Sequence, residues 1–145
     1  MCLITEQKTP LIAEKDMVVY KVMETNLCSF FQYFPYEIDK LFETEIKHND
    51  ETIWTACCSL DSDYLMQKYK VDCVRDLKGH PKLICLKYGF SSCKSIKVAS
   101  EINHGYRGTI YRCIIPKGSE YYKDKVGFII SNKIIIKKIA QQKIK

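Results

Sequence analysis

The stretch Thr109-Ile110-Tyr111-Arg112-Cys113-Ile114-Ile115-Pro116-Lys117-Gly118-Ser119 decides the fold class. Its first seven residues are β-branched, aromatic or small and apolar apart from Arg112, a composition that suits a pleated, half-buried strand. Pro116-Lys117-Gly118 then stops the strand, because proline donates no ladder hydrogen bond and glycine readily turns the chain. Downstream, Val126 to Ile130 and Lys133 to Ile139 read as two more strands about Ser131-Asn132, a spacing that predicts a hairpin. Upstream, Ser95 to Ile102 reads as a helix capped by Ser95. Ile96, Ala99 and Ile102 would share one face, and Gly105 to Gly108 would end it.

Working outward, Met17-Val18-Val19-Tyr20-Lys21-Val22-Met23 is a second strong strand. Residues 1–15 read as irregular, with a turn at Thr9-Pro10. Asn26 to Pro35 reads as a loop rich in aromatics. Leu41 to Ile46 and Glu51 to Ser59 predict strands, the latter around Trp54. Asp61-Ser62-Asp63 offers N-caps for a helix over Tyr64 to Tyr69. Gly79-His80-Pro81 predicts a turn, Leu83 to Leu86 a short strand, and Gly89-Phe90-Ser91-Ser92 a loop. Strands outnumber helices, and the connections are too short for repeated βαβ units. The expectation is an α+β fold, with a mainly antiparallel sheet, continuous or split, and two or three short helices. The 145 residues, without repeats or linkers, predict one domain over 1–145.

The eight cysteines invite a disulfide reading, but Met1-Cys2-Leu3-Ile4-Thr5-Glu6 reaches an acid too early for a secretory signal. The expectation is a cytoplasmic protein with reduced, mostly buried thiols, and no apolar run approaches membrane-spanning length. Residues 123–145 hold seven lysines against one acid, Asp124, and so carry the whole formal net charge of +6. That end reads as a solvated edge strand and tail, lysine being a usual guard against unwanted sheet pairing. A contact with nucleic acid through these lysines is the alternative.

No motif identifies a reaction. His80, Cys85, Cys93 and His104 lack the close ligand pairs of structural zinc, and the adjacent Cys57-Cys58 would point apart on a strand, so no metal and no cofactor are expected. Phosphate-loop glycine patterns are absent. Basic and aromatic residues interleave once, in Tyr106-Arg107-Gly108-Thr109-Ile110-Tyr111-Arg112, which suits stacking and phosphate contact as well as an ordinary strand face.

Two resemblances follow from the quoted residues. Met1-Cys2-Leu3-Ile4, Ala13-Glu14-Lys15-Asp16, Tyr20-Lys21-Val22, Gly89-Phe90-Ser91-Ser92 and Cys113-Ile114-Ile115-Pro116-Lys117-Gly118-Ser119-Glu120-Tyr121-Tyr122 resemble a family of small proteins from phages, large DNA viruses and bacteria. Its members carry Gly-Phe-His-Ser at Gly89–Ser92 and often Ser-Pro-Tyr at Ser29-Phe30-Phe31. The resemblance implies a small accessory protein (in the host cytoplasm, if viral) and no particular activity. The order of elements over Met17–Met23 and Tyr88–Ile139 is also similar to ADP-ribosyltransferases. Those enzymes hold NAD between a first strand with Arg or His, a Ser-Thr-Ser-like strand and a Glu opening a late strand. The resemblance puts Tyr20-Lys21 at the first place and Ser91-Ser92 at the second. The third falls on Ser131-Asn132-Lys133, where no Glu stands.

The expectation is therefore binding and not catalysis, of a nucleotide-type small molecule or a host protein, through the Phe30–Tyr36 and Gly89–Ser92 segments. Candidate ligand contacts are Tyr20, Lys21, Phe90, Ser91, Ser92, Arg112 and Lys133. The alternatives are a transferase-like enzyme with an unorthodox acid such as Glu120, and a virion-associated protein that contacts nucleic acid.

Overall fold

A computed structural model of the chain describes residues 3–24, 27, 34–48, 62–77, 82–106 and 108–141. Two sheets organise it. Strands β1 (Leu3–Thr5), β5 (Lys47–His48) and β6 (Ile84–Tyr88) form a small sheet in the order β1-β6-β5. The other strands are β2 (Leu11–Ile12), β3 (Met17–Met23), β4 (Leu41–Glu43), β7 (Phe90–Cys93), β8 (Thr109–Ile115), β9 (Glu120–Lys123), β10 (Phe128–Ser131) and β11 (Lys133–Gln141). They form an eight-stranded sheet in the order β2-β9-β10-β7-β3-β8-β11-β4, with every ladder antiparallel. Helices α1 (Ser62–Tyr69) and α2 (Ile96–Tyr106) and a 3₁₀ turn at Val74–Leu77 complete an α+β fold. Among the described residues no helix is long and apolar enough to cross a membrane.

The strands Met17–Met23 and Thr109–Ile115 stand where their composition puts them. They pair along their whole length, from Met17↔Ile115 to Met23↔Thr109. Their alternation divides the interior. Val19, Met23, Tyr111, Cys113 and Ile115 face one core with Phe90, Ile129, Ile134 and Ile136. Tyr20 and Val22 turn to the other face, which packs on Val98 and Ala99 of α2 and on Leu3 and Leu86 of the small sheet. A third cluster seats α1, through Leu65, on Ile4, Leu77 and Leu83.

The expected hairpin about Ser131-Asn132 does not form: β10 pairs with β7 and β9, and β11 with β8 and β4. In a flat sheet β10 and β11 would lie four strand spacings apart, roughly 19 Å. A single residue joins them, and two Cα steps span at most about 7 Å. The sheet therefore curls until the two halves meet at Asn132. This residue donates its N–H to the Glu120 carbonyl at 3.0 Å, accepts the Glu120 N–H on Oδ1 at 2.9 Å, and accepts the Thr44 N–H on its own carbonyl at 2.9 Å. Glu120 opens β9 and Thr44 follows β4, so one asparagine ties regions near opposite ends of the strand order.

Other expectations change as well. Residues 1–15 supply β1 and β2 instead of remaining irregular, because distant strands β6 and β9 complete their ladders. Gly89–Ser92 is not a loop: Phe90 to Cys93 pair with Phe128 to Ser131, and burial overrides the weak strand preference of two serines. Gly89 alone separates β6 from β7, with φ of 135°, and a Cβ there would collide with Ile130 Cγ2. The Leu41–Ile46 strand is cut to β4 by its brief pairing with β11. Strand β9 is not among the expected strands, and β11 lies between β8 and β4 and is no edge strand. Helix α2 is capped by the Ser95 hydroxyl, which accepts the Val98 N–H; Ala99 is buried as expected and Val98 beside it, while Ile96 is exposed. It also runs past Gly105 to Tyr106. The strand around Trp54, the Gly79-His80-Pro81 turn and most of the Asn26–Pro35 loop lie outside the described residues.

Two substitutions test this architecture. Asn132→Ala removes the Oδ1 acceptor and should cost about 1 kcal/mol in urea unfolding. Ile134→Ala empties fully buried space beside it and should cost about 2–5 kcal/mol.

Candidate functional site

Lys21 is the least ordinary residue of the core. It lies at the middle of a central strand and is 5% exposed, on the face shared with Tyr111, Cys113 and Tyr36. A buried ammonium must find partners or lose its proton. Its Nζ donates to the Ser91 carbonyl at 2.7 Å and to the Ser91 hydroxyl at 3.0 Å. The Tyr36 ring centroid lies 5.5 Å from the same nitrogen. The reason for this geometry is local: β3 and β7 pair only at Tyr20↔Cys93, and beyond that point the lysine side chain meets β7 instead of a backbone ladder.

Burial pulls the Lys21 amine down to about 8. The neighbouring Cys113 and Cys93 thiols are themselves pushed up to about 12 by burial and are neutral where the amine titrates, so they give it no anionic partner. Burial also raises the Tyr36 hydroxyl. Cys73, Cys93 and Cys113 are free thiols. Next along β7, the buried Ser92 hydroxyl has no hydrogen-bond partner among the described residues.

An aromatic roof covers Lys21. Phe34, Tyr36, Phe42 and Phe90 form edge-to-face contacts with centroids 4.8–6.2 Å apart. Phe34 is 37% exposed, whereas Tyr36 and Phe90 are buried. Lys40 Nζ sits 5.3 Å from the Phe42 centroid. Lys133 pairs in register with Glu43 next to Phe42, its Nζ 4.0 Å from the carboxylate.

The candidate residues thus divide. Lys21 meets Ser91 directly, Phe90 meets the Tyr36 ring that lies over Lys21, and Ser92 follows on the same strand. Tyr20 packs on the opposite face of the sheet, with Arg112 beside it in register and Lys138 beside Arg112. Lys133 stands at the start of β11 opposite Glu43, while the next residue, Ile134, is the one in register with Phe42. Among the described residues no side-chain hydrogen bond or ion pair joins Tyr20 or Lys133 to the Lys21–Ser91 pair. Glu120 holds Asn132 through its backbone and is exposed. Two of the motif segments serve to hold the fold together. Ala13 and Ser119 bond through their backbones, and the Lys117 N–H bonds Asp16 Oδ1 at 2.8 Å. Sequence reasoning includes Tyr36 in the Phe30–Tyr36 segment but misses that its ring lies over Lys21, and it misses Phe42 as a member of the same aromatic cluster. Arg107 lies outside the described residues.

The pH dependence of stability follows from Lys21. Its folded value lies below the ordinary 10.5, so the unfolded chain binds more protons between about pH 8 and 10.5. The desolvation cost is full below pH 8 and is relieved as pH rises through that window. Measured by urea unfolding against Lys21→Met, which cancels the opposing trend of the cysteines, the wild type should gain up to about 1.4 kcal/mol per pH unit across it. A flat difference would show that Lys21 titrates normally.

No protein-family model, no curated protein and no solved structure matches the chain.

Proposed function

We propose that the chain is a binding protein without transferase chemistry, and that it takes a nucleotide-type small molecule on the aromatic roof above Lys21. The observation that carries this reading is the meeting of two segments remote in sequence. Phe34 and Tyr36 pack on Phe90, the first residue of the Phe90–Ser92 strand, with ring centroids 6.2 and 6.1 Å apart. An exposed Phe34 beside Phe42, with Lys40 over the Phe42 ring and the Lys21 ammonium beneath Tyr36, has the composition of a stacking platform with a cation at its edge.

The transferase resemblance adds little to this reading, because Tyr20 packs on the opposite face of the sheet from Lys21, which bonds Ser91. Strand β3 with Lys21 lies beside β7 with Ser91-Ser92, and their pairing narrows to one residue pair, as in a split sheet. At the third place the chain has Ser131-Asn132-Lys133, and Asn132 is occupied in joining Glu120 to Thr44. Lys21 is likewise committed to Ser91 beneath Tyr36. A host protein is the second reading, favoured by the exposure of Phe34, Ile38 and Leu41.

Isothermal titration against a nucleotide panel that includes NAD and cyclic dinucleotides tests the proposal. One member should bind, and Phe34→Ala should weaken it about tenfold or more, given roughly 1–3 kcal/mol for a base–aromatic stack. The absence of heat throughout the panel would remove the small-molecule reading. Labelled ADP-ribose released or transferred from NAD would overturn the non-catalytic one.

A further inference from the structure

A cleft of about 700 Å³ opens at the Met17 end of β3. Its apolar floor is Met17, Tyr121 and Ile129, and its cations are Lys94, Lys123 and Lys125. Its size falls in the range of small-ligand sites, and an apolar floor with a few convergent polar groups is their usual make-up.

The cleft is built from tied segments. The Thr5 hydroxyl donates to the Lys123 carbonyl at 3.2 Å, the Lys123 N–H donates to Gln7 Oε1 at 3.1 Å, and Gln7 Nε2 donates to the Tyr121 carbonyl at 3.1 Å. Across it, the Lys94 N–H bonds the Gly127 carbonyl at 2.8 Å, and the Lys94 stem lies against Gly127 so closely that a Cβ there would meet Lys94 Cδ at 2.5 Å. Gly127, with φ of 114°, thus leaves the space in which Lys94 rests.

Two acids, Glu6 and Asp124, line the same space, and the Asp124 Oδ2 is buried without a hydrogen bond among the described residues. Glu6 accepts from Lys68 Nζ at 2.5 Å and from the Tyr69 hydroxyl at 2.8 Å. Asp124 Oδ1 accepts the Gly127 and Phe128 N–H groups, each at 2.8 Å. Lys125 donates to the Tyr64 hydroxyl at 2.5 Å and lies 4.1 Å from that ring's centroid. Lys94 and Lys123 have no carboxylate within ion-pair distance among the described residues. Cationic lysines over an apolar floor match a ligand with an anionic head and an apolar or aromatic body.

We infer that this cleft binds a small organic phosphate, its phosphoryl oxygens on Lys94 and Lys123 and its body against Tyr121, Met17 and Ile129. The residues that line the cleft are distinct from the four aromatics of the roof. Lysine serves phosphate as a point charge, and exposed charge pairs weaken with salt.

Pyrophosphate has no base to stack on Phe34, so it is the first probe, titrated calorimetrically at low ionic strength; ADP is the second. Wild-type protein should bind one pyrophosphate and bind ADP at least tenfold more tightly. The double variant Lys94→Gln, Lys123→Gln should lose at least tenfold for both. Both positions are exposed, and an unchanged circular-dichroism melt would show that the fold is kept. Tyr121→Ala should remove the ADP advantage while leaving pyrophosphate bound, and Phe34→Ala should leave pyrophosphate affinity unchanged. Absence of heat from wild type, ADP no tighter than pyrophosphate, or equal affinity in the double lysine variant overturns the inference. Loss of pyrophosphate binding in Phe34→Ala would move the anion site to the roof and also overturn it.

Discussion

The passage from β10 to β11 through Asn132 constrains everything else in the large sheet. A strand that ends in one half must begin again in the other after a single residue, so the sheet has to curl. Curling encloses the face that carries Val19, Cys113, Ile129, Ile134 and Ile136, turning one side of a sheet into a core. It also encloses Lys21, which stands on that face between Val19 and Met23. Asn132 suits the position because its side chain and its backbone satisfy the polar groups that such a tight passage leaves without ladder partners.

The buried lysine is a consequence of where the pairing of β3 and β7 stops. Past Tyr20↔Cys93 the Ser91 carbonyl meets the Lys21 ammonium, an exchange of a neutral hydrogen bond for a charge-assisted one. The cost is desolvation of the amine, visible in its lowered proton affinity. Such a group stays in a core only when neighbours fix its geometry, as Ser91 and the Tyr36 ring do. A methionine of similar length would fill the space but leave the Ser91 carbonyl unanswered.

The sequence reveals its structure where local preference and tertiary demand agree. Met17–Met23 and Thr109–Ile115 are strands by composition and by burial, and Ser95 caps its helix through its own hydroxyl. It misleads where the deciding partner is remote. Gly89–Ser92 carries turn-forming residues, yet β10 recruits Phe90–Cys93 into a ladder. Ser131-Asn132 has hairpin chemistry, yet its flanking strands find different neighbours. The candidate site is legible one residue at a time: Lys21, Phe90 and Ser91 stand out in the string, but strand alternation sends Tyr20 to the other face. The C-terminal lysines read as surface charge, since nothing in a linear string shows that Lys123 and Lys125 share a cleft with the distant Lys94.

The position of β3 bears on how the protein acquires its shape. This central strand is made early, but its neighbours are β7 and β8, and its residue Met17 pairs with Ile115. Strands β1 and β2 likewise wait for β6 and β9. Almost none of the sheet closes locally, so the search for native pairings is dominated by long loops and should be slow. Until Thr109–Ile115 leaves the ribosome, a β-branched, aromatic segment has no edge to join. During that interval Lys21, still solvated and fully charged, sits in the middle of the segment and opposes its self-association.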